Sequence, residues 1–228
     1  MQDVLGEALK DYQQGNGRYK LWIHNKYGRK EEMPVPVYFR SEKDMSPGEL
    51  LAMEGCTGQV LDIGAAAGCH SLILQQRNFP VTAMDISAGA VWVMKQRGVK
   101  KVIQADIFSW KKKQFDTLLF LMNGIGLAGT LNGLQILLHH LKQLLKPGGH
   151  ILFDSSDVKY MYAPKKFPAH YYGEIDYRYE YRGNFSAWFK WLYADQLTMQ
   201  SIASHCGFTM EVLEEDDSGQ YFGRLMLQ

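Results

Sequence analysis

Cysteine is scarce in this sequence, and the three that occur, Cys56, Cys69 and Cys206, lie far apart. An odd number of scattered cysteines without metal-ligand spacing excludes a disulfide framework and an ordinary zinc site. We therefore expect reduced thiols, no bound metal and a cytoplasmic protein. The adjacent His139 and His140 add no metal site, because neighbouring residues on a helix point in different directions.

Long apolar runs and an excess of one charge are also missing. No unbroken apolar stretch reaches the roughly 20 residues of a membrane-spanning helix, so no membrane partner is expected. The first ten residues lack the basic-then-apolar layout of a signal peptide. The 25 basic residues nearly balance the 24 acidic ones. Without a basic stripe we expect no nucleic acid as partner, but a small molecule.

What the sequence does contain is a regular alternation of apolar, strand-like runs with helix-like segments. Strands are predicted near 59–63, 80–85, 101–105, 115–122 and 149–154, and helices near 68–78, 87–97 and 131–145. Such alternation predicts an α/β fold with a doubly wound, mostly parallel sheet that is covered on both faces. Ser87 is the expected N-cap of the second of these helices.

The two ends of the chain depart from this alternation. The first fifty residues predict a helix near 3–14, strands near 19–24 and 35–39, and a helix near 47–54. They are expected to form a cap or lid over one edge of the sheet. A helix near 195–206 and two strand-like runs joined by a polar turn predict a C-terminal antiparallel hairpin.

The segment EIDYRYEYR, residues 174–182, alternates strictly between polar and apolar residues. The segment FSAWFKWLY, residues 185–193, places an apolar residue at every second position, which puts Phe185, Ala187, Phe189, Trp191 and Tyr193 on one face. With a turn at Gly183-Asn184 between them, they predict an inserted β-hairpin. Because register follows the apolar face, an odd-numbered loop or a bulge is favoured, and either brings Tyr179 near Phe189.

The stretch VLDIGAAAGCH, residues 60–70, ends an apolar run in an acid and then brackets three alanines with two glycines. Glycine permits unusual backbone angles and lets a ligand approach the main chain closely. In doubly wound sheets, ligands bind at the carboxyl ends of the strands, usually at the first strand-to-helix turn. A tight turn without a ligand would explain an isolated glycine pair equally well.

Acidic residues also end the next two strands, with Asp85 in VTAMDIS and Asp106 in VIQADIF. An acid about 20 residues past a glycine loop can accept hydrogen bonds from ribose hydroxyls. A carboxylate at the third strand end can accept from an adenine amino group. Together with Asp62, these acids at three successive strand ends predict a nucleoside site.

The spacing of the glycines argues against a nicotinamide dinucleotide. The dinucleotide pattern G-x-G-x-x-G falls here on Gly64, Ala66 and Cys69, so two of its three glycines are missing. An alanine methyl should fit where the ligand carries no phosphate. A nicotinamide-dependent oxidoreductase is therefore the weakest of the functions considered.

The spacing that is present, an acid and then G-x-A-x-G, resembles the first motif of class I S-adenosylmethionine-dependent methyltransferases. AMDIS is similar to the ribose-binding acid of that family, and QADIF to its adenine-contact motif. FDTLLFLMNGIG (115–126) and LLKPGGHILFD (144–154) look like its fourth and fifth strands with their adjoining loops. The resemblance covers residues 56–154 and, more weakly, the rest of the chain to its C-terminus. It implies a seven-stranded, Rossmann-like methyltransferase fold with S-adenosyl-L-methionine as the cofactor.

The resemblance also implies a set of cofactor-binding residues. They are Asp62, Gly64, Ala65, Ala66, Gly68, Asp85, Ile86, Asp106, Ile107, Met122 and Asn123. Asp62 and the glycine loop would hold the methionine end, and Asp85 would take the ribose hydroxyls. Ile86 would pack on adenine, while Asp106 and Ile107 would meet its edge and its face.

The acceptor side of the site is less defined. Methyl transfer needs mainly positioning, and a general base only where the acceptor must lose a proton. Weak catalytic candidates are Asn123, Asp154, His170 and Tyr171, for which capping or ordinary packing are competing interpretations. Asn123 is followed by glycine and not by the Pro-Pro-Tyr of enzymes that methylate base amines in DNA.

We therefore predict a single domain that transfers a methyl group from S-adenosylmethionine to a small-molecule acceptor. Its expected regions are an N-terminal cap (1–55), a cofactor-binding core (56–154), an inserted aromatic hairpin (155–194) and a last helix with the final hairpin (195–228). The alternative is a non-catalytic S-adenosylmethionine-binding module or partner subunit on the same fold.

Overall fold

Helices and strands alternate along the chain, and the computed structural model describes residues 2–111, 114–162 and 167–228. The helices are α1 (Val4–Gln13), α2 (Pro47–Glu54), α3 (Cys69–Gln76), α4 (Ala88–Gln96), α5 (Leu131–Leu141) and α6 (Gln196–His205). The strands are β1 (Trp22–Asn25), β2 (Glu31–Glu32), β3 (Val60–Ile63), β4 (Val81–Asp85), β5 (Val102–Gln104), β6 (Phe115–Phe120), β7 (Leu145–Ser156), β8 (Glu174–Tyr181), β9 (Asn184–Phe185), β10 (Phe189–Leu192), β11 (Phe208–Glu215) and β12 (Gln220–Leu227).

A seven-stranded sheet runs in the order β11-β12-β7-β6-β3-β4-β5. Strand β6 is parallel to β7, and β4 is parallel to β5. Strand β12 is antiparallel to both β7 and β11. The predicted α/β class, the mostly parallel sheet and the C-terminal antiparallel hairpin are therefore confirmed. Every residue of β3 is buried, as expected of a parallel strand covered on both faces.

A second, smaller sheet has the order β10-β8-β1-β2, with β9 paired to β8. Part of the predicted N-terminal pattern is wrong, because residues 35–39 form a 3₁₀ helix and not a strand. Pro34 and Pro36 explain the difference. Neither residue has a backbone N–H to donate to a neighbouring strand, and both fix φ near a helical value.

The inserted hairpin turns one residue earlier than the sequence suggests, at Arg182–Gly183. Both of these residues have positive φ, 53° and 74°, which a tight two-residue hairpin turn requires. Residues 186–188 then interrupt the outgoing strand between β9 and β10. This interruption brings the ring of Phe189 within 5.2 Å of that of Tyr179, which confirms the predicted aromatic pairing.

The described residues form two compact units. The first consists of Met1–Met45, Leu61–Trp110 and Asp176–Phe189, and the second of Ser46–Val60, Lys111–Ile175 and Lys190–Gln228. Residues 163–166 of the predicted insertion lie outside the described residues. The division of the chain into the four consecutive regions given above stays a prediction.

Each unit has its own apolar core, and helix periodicity determines which residues enter it. In the second unit, α5 buries Leu134, Leu137, Leu138 and Leu141 completely. Their spacing of three and four residues places them on one face of the helix. In the first unit, α1 and α4 contribute to one cluster that also contains Ala67 and Tyr181.

We predict that Gly126→Ala destabilises the protein. A Cβ at this position would lie 2.1 Å from Trp191 Nε1 and 2.6 Å from the carbonyl oxygen of Leu192. The Trp191 ring cannot move aside freely, because its Nε1–H donates to the carbonyl of Asn123 at 3.1 Å. Overpacking of this kind typically costs about 1–3 kcal/mol of unfolding free energy, measurable by urea denaturation.

Gly28→Ala is the matched control for Gly126→Ala. Its Cβ would make only an ordinary contact, 3.5 Å from Asn25 Oδ1. We expect its unfolding free energy to stay within about 0.5 kcal/mol of the wild-type value. Equal stability of the two variants would contradict the close approach at Gly126.

Candidate functional site

The turn between β3 and α3 is the glycine loop, residues 64–68, and it is fixed to the neighbouring strand β4. The N–H groups of Gly64 and Ala65 both donate to the carbonyl of Met84, at 2.9 and 3.1 Å. The next N–H, of Ala66, donates to Asp85 Oδ2 at 2.9 Å. The loop backbone is thereby held at the carboxyl end of β4.

The two glycines of the loop serve different physical needs. A Cβ at Gly68 would lie 2.9 Å from Val99 Cγ2 and 3.0 Å from Met94 Cγ, so glycine is required there by packing. Gly64 is exposed, has φ +72°, and no other atom lies within 4 Å of the position of its absent Cβ. Of these two glycines, Gly64 is the one whose missing side chain leaves open space above the backbone.

Asp62 lies beneath this loop and not on its surface, with only 2% of its area exposed. Ser71 Oγ donates to Asp62 Oδ2 at 2.6 Å, which joins β3 to α3. Burial raises the pKa of Asp62, although the charge of His70 and the Ser71 hydrogen bond act in the opposite direction. Asp62 therefore acts within the protein interior, where it ties together the two elements that the loop connects.

Asp85 joins the glycine loop to the start of α4. Its Oδ2 accepts from the Ala66 N–H, and its Oδ1 accepts from the Ser87 N–H, each at 2.9 Å. Burial raises the pKa of Asp85 to about 6; the two N–H donors lower it, and the charges of Asp3 and Asp62 raise it further. Each carboxylate oxygen keeps one lone pair for a further hydrogen-bond donor.

The ends of β4 and β5 lie side by side, because the Ala105 N–H donates to the carbonyl of Asp85 at 3.1 Å. Asp106 is exposed there, and its carboxylate accepts from the Phe108 N–H at 3.0 Å. Ile86 is 68% exposed, whereas Ile107 is only 5% exposed. Ile86 directly follows Asp85 in the chain, so its exposed side chain adds an apolar surface at the strand end that carries this acid.

Several residues that shape this region were not identified from the sequence. Arg97 Nη1 donates to the carbonyl of Ala67 at 2.6 Å, and its guanidinium lies 4.9 Å from the centre of the Phe39 ring. Burial lowers the pKa of Arg97. Asp3 and Ser71, which bond to Ser87 and Asp62, were likewise not identified from the sequence. Arg97 directly follows α4, and nothing in the sequence around it indicates a contact with a loop residue 30 positions earlier.

In the second unit, the turn after β6 has a strained backbone. Met122 and Asn123 both have left-handed backbone angles, with φ 60° and 55°. Both carboxylate oxygens of Asp154 accept from the Asn123 N–H, at 2.9 Å each, and Gln220 Nε2 donates to Asp154 at 2.8 Å. Ser156 Oγ donates to the side-chain oxygen of Asn123 at 3.1 Å. Asp154 has no exposed surface and holds the turn in place.

The aromatic candidates of the second unit belong to a network around Asp195. Tyr171 donates its hydroxyl to Asp195 Oδ2 at 2.6 Å, and Tyr172 Oη lies 3.0 Å from the same oxygen and 2.9 Å from Asp157. Burial, followed by the bond to Asp195, raises the pKa of Tyr171 to about 12. His170 is exposed. Tyr171 is thus a protonated hydrogen-bond donor at neutral pH.

Over residues 2–111, 114–162 and 167–228, no group of three or more His, Cys, Asp and Glu side chains is arranged to hold a metal ion. Within the same described ranges, no α-helix combines the length and apolar character needed to span a bilayer.

A family model described as a methyltransferase domain matches residues 60–149. A solved structure of an S-adenosylmethionine-dependent methyltransferase from Bacteroides fragilis, in complex with S-adenosyl-L-homocysteine, is 38% identical to this chain. The match covers 99% of this chain and 94% of that one, with a TM-score of 0.91. Among curated protein sequences, none matches significantly.

More distant structures share the fold alone. A protein from Pyrococcus horikoshii is 20% identical, with a TM-score of 0.64 over 85% of this chain and 96% of that one. A sugar N-methyltransferase from a Streptoalloteichus species is 15% identical, with a TM-score of 0.59 over 89% of this chain and 96% of that one. Given the fold, the family model and 38% identity over nearly the whole length, the chain belongs to the class I S-adenosylmethionine-dependent methyltransferases, enzymes whose methyl donor is S-adenosyl-L-methionine.

Proposed function

We propose that the first unit binds S-adenosylmethionine across the carboxyl ends of β3, β4 and β5, and that the chain transfers its methyl group to a small-molecule acceptor. The observation that supports the site most strongly is the position of Asp85. Its carboxylate accepts from the glycine loop on one oxygen and from the start of α4 on the other. Ligands of open α/β sheets bind at this edge.

The residues present fit the cofactor. Asp85 is fixed by two backbone donors and retains a lone pair on each oxygen for the two ribose hydroxyls. The open side of Gly64 admits the amino-acid end of the ligand. Asp62 supports the loop from beneath. The exposed side chain of Ile86 is suited to pack on adenine, and Asp106 and Ile107 would meet the edge and the face of that base.

The sulfonium group supplies an activated methyl and a good leaving group for in-line displacement by the acceptor. The contribution of the chain is then mainly to bind and orient. In the second unit, we propose that the Met122–Asn123 turn takes part in cofactor or acceptor binding. The side-chain NH2 group of Asn123 is suited to donate a hydrogen bond, since the side-chain oxygen already accepts from Ser156.

The four catalytic candidates differ in what their environments allow. Asp154 is buried and bonded to the backbone, so we propose a positioning role for it. Tyr171 is a donor rather than a base, because its pKa is raised. His170 is exposed and remains the candidate general base for an acceptor that must lose a proton. Asn123 would contact the acceptor directly.

The nearly balanced charge favours a small neutral or weakly charged acceptor over nucleic acid. The three cysteines, all within the described residues, are buried and form no disulfide, which supports a reducing, cytoplasmic location. A non-catalytic S-adenosylmethionine-binding module remains the alternative. Transfer of a labelled methyl group to a panel of metabolites, with S-adenosylmethionine as donor, separates the two. Tight binding without transfer to any acceptor would favour the module.

We predict that Asp85→Ala weakens S-adenosylhomocysteine binding by at least about tenfold, because hydrogen bonds to a charged group are worth ~1.5–3 kcal/mol. Isothermal calorimetry at pH 8 measures the effect. Asp44→Ala is the control in the same unit, since the Asp44 carboxylate accepts only locally, from the Ser41 N–H and hydroxyl. Wild-type affinity in Asp85→Ala would remove this residue from the site.

The affinity should also depend on pH. The pKa of Asp85 is about 6 in the free protein, and ribose hydroxyl donors favour its ionised form. Binding at lower pH must therefore expel a proton. We expect the dissociation constant for S-adenosylhomocysteine to be constant above pH 7 and to rise below pH 6, by up to about tenfold per pH unit. A flat profile from pH 5 to 8 would contradict an ionised Asp85 in the complex.

Gly64→Ala should block the ligand without selective damage to the fold. Gly98→Ala is a closely matched control, because both glycines are exposed, have positive φ (+72° and +88°), and have no other atom within 4 Å of the absent Cβ. Both variants should lose about 1–2 kcal/mol of stability through backbone strain. Only Gly64→Ala should lose S-adenosylhomocysteine affinity, and equal affinities would show that the loop is merely a turn.

A further inference from the structure

Helices α1 and α4 touch each other at their first turns through two glycines. A Cβ on Gly89 would lie 2.5 Å from the Cα of Gly6, so the two backbones approach as closely as side-chain-free residues allow. Val4, Ala8 and Leu9 of α1 are at most 1% exposed. They belong to the same apolar cluster as Ala67 of the glycine loop. The start of α1 is therefore packed against the elements that form the proposed cofactor site.

One carboxylate joins these two helix starts. Asp3 Oδ1 accepts from the Gly6 N–H of α1 at 3.1 Å. Asp3 Oδ2 accepts from the Ser87 hydroxyl and from the Gly89 N–H, both at 2.8 Å. Asp3 is thus the N-cap of α1 and also satisfies a free N–H in the first turn of α4.

Ser87 carries this connection to the ribose-binding position. Its hydroxyl, while donating to Asp3, also accepts from the Ala90 N–H at 2.9 Å and caps α4. Its own N–H donates to Asp85 Oδ1 at 2.9 Å. The carboxylates of Asp3 and Asp85 are therefore connected through a single intervening residue, although they are 82 positions apart in the chain.

We propose that Asp3 is a positioning residue for cofactor binding: it couples the docking of α1 to the geometry of Asp85, so that α1 docking and nucleoside binding stabilise each other. Such coupling is reciprocal by thermodynamic necessity. The inference rests on the proposed role of Asp85 toward ribose. It assigns to the N-terminal helix a function in the affinity for the cofactor beyond covering the core.

The negative charge of Asp3 also affects Asp85, independently of the hydrogen bonds through Ser87. The charged groups that act on Asp85 are Asp3 from α1 and Asp62 from β3, and both raise its pKa. His70 from α3 acts on Asp62. Replacing Asp3 by a neutral residue should therefore lower the pKa of Asp85. The rise of the S-adenosylhomocysteine dissociation constant on the acidic side, which we call the acidic limb of binding, would then begin at lower pH.

Asp3→Asn is the most informative variant. Asparagine is itself a good N-cap, so its oxygen can still accept from Gly6. Its NH2 group would then face the Gly89 N–H, which loses its acceptor, and the Ser87 hydroxyl could bond to it only by reversing its role from donor to acceptor. Both hydrogen bonds that the Asp3 carboxylate accepts from the start of α4 are therefore lost. We expect S-adenosylhomocysteine affinity at pH 8 to fall at least about fivefold, the lower end of ordinary coupling between sites. We also expect the midpoint of the acidic limb to shift downward.

Asp11→Asn and Glu7→Gln are the matched controls on the same helix. Asp11 anchors the far end of α1, where it accepts from the Tyr181 hydroxyl at 2.8 Å and pairs with Arg182 at 3.0 Å. Glu7 is an exposed acid of the first turn. Both variants should keep the wild-type pH midpoint and an affinity within about twofold of the wild-type value.

Hydrogen exchange of α1 tests the reciprocal effect. S-adenosylhomocysteine should slow amide exchange in residues 6–13 of the wild-type protein and do so less in Asp3→Asn. Ser87→Ala breaks the same connection from the other side. It keeps the test decisive if Asp3→Asn does not fold. The double variant should lose less affinity than the two single losses combined, because both remove one connection.

The outcomes separate this inference from the proposed function. Should Asp85→Ala lose binding while Asp3→Asn and Ser87→Ala keep wild-type affinity and pH midpoint, the inference about Asp3 is overturned and the cofactor site stands. Should Asp11→Asn change affinity and midpoint as much as Asp3→Asn does, docking of α1 in general is responsible and the inference is again overturned. Wild-type binding by Asp85→Ala would overturn the site itself.

Discussion

The hydrogen bonds from Ala66 and Ser87 to the two oxygens of Asp85 are the interaction on which the first unit depends most. They draw the glycine loop and the start of α4 to one strand end. The arrangement keeps a carboxylate largely desolvated, which raises its pKa. Two fixed donors offset part of that cost, and each oxygen keeps a lone pair for a further donor. The ionised Asp85 is unfavourable for stability at neutral pH, but its fixed position suits it to accept hydrogen bonds from a ligand.

Much of the site could be predicted from the sequence, because its main positions follow from strand ends alone. Parallel neighbouring strands place their carboxyl ends on one edge, so Asp62, Asp85 and Asp106 had to lie close together once the strands were recognised. The connections through Asp3 and Arg97 were not predictable. They join residues 84 and 30 positions apart, and nothing local distinguishes them from an ordinary helix cap and a surface arginine.

The misjudged details have physical causes of the same kind. Two prolines turned an expected strand at 35–39 into a 3₁₀ helix, and the hairpin turned at Arg182–Gly183 because a non-glycine residue accepted a positive φ. The glycine motif identifies the loop but not the physical reason for each glycine. Its pattern does not reveal that Gly68 is required by contact with Met94 and Val99, whereas Gly64 has open space above it.

Four of the predicted site residues are aspartates at or near the ends of strands β3, β4, β5 and β7, and their surroundings distinguish them. Asp62 and Asp154 are buried and bonded to their own chain, by a serine hydroxyl and by a backbone N–H, so each fixes a turn. Asp85 is only partly accessible, and Asp106 is exposed. In the proposed site, a ligand would contact Asp85 and Asp106 directly and would depend on Asp62 and Asp154 only through the elements that they join. Residue type and strand position identify the candidates, but exposure and the existing hydrogen bonds decide what each of them can do.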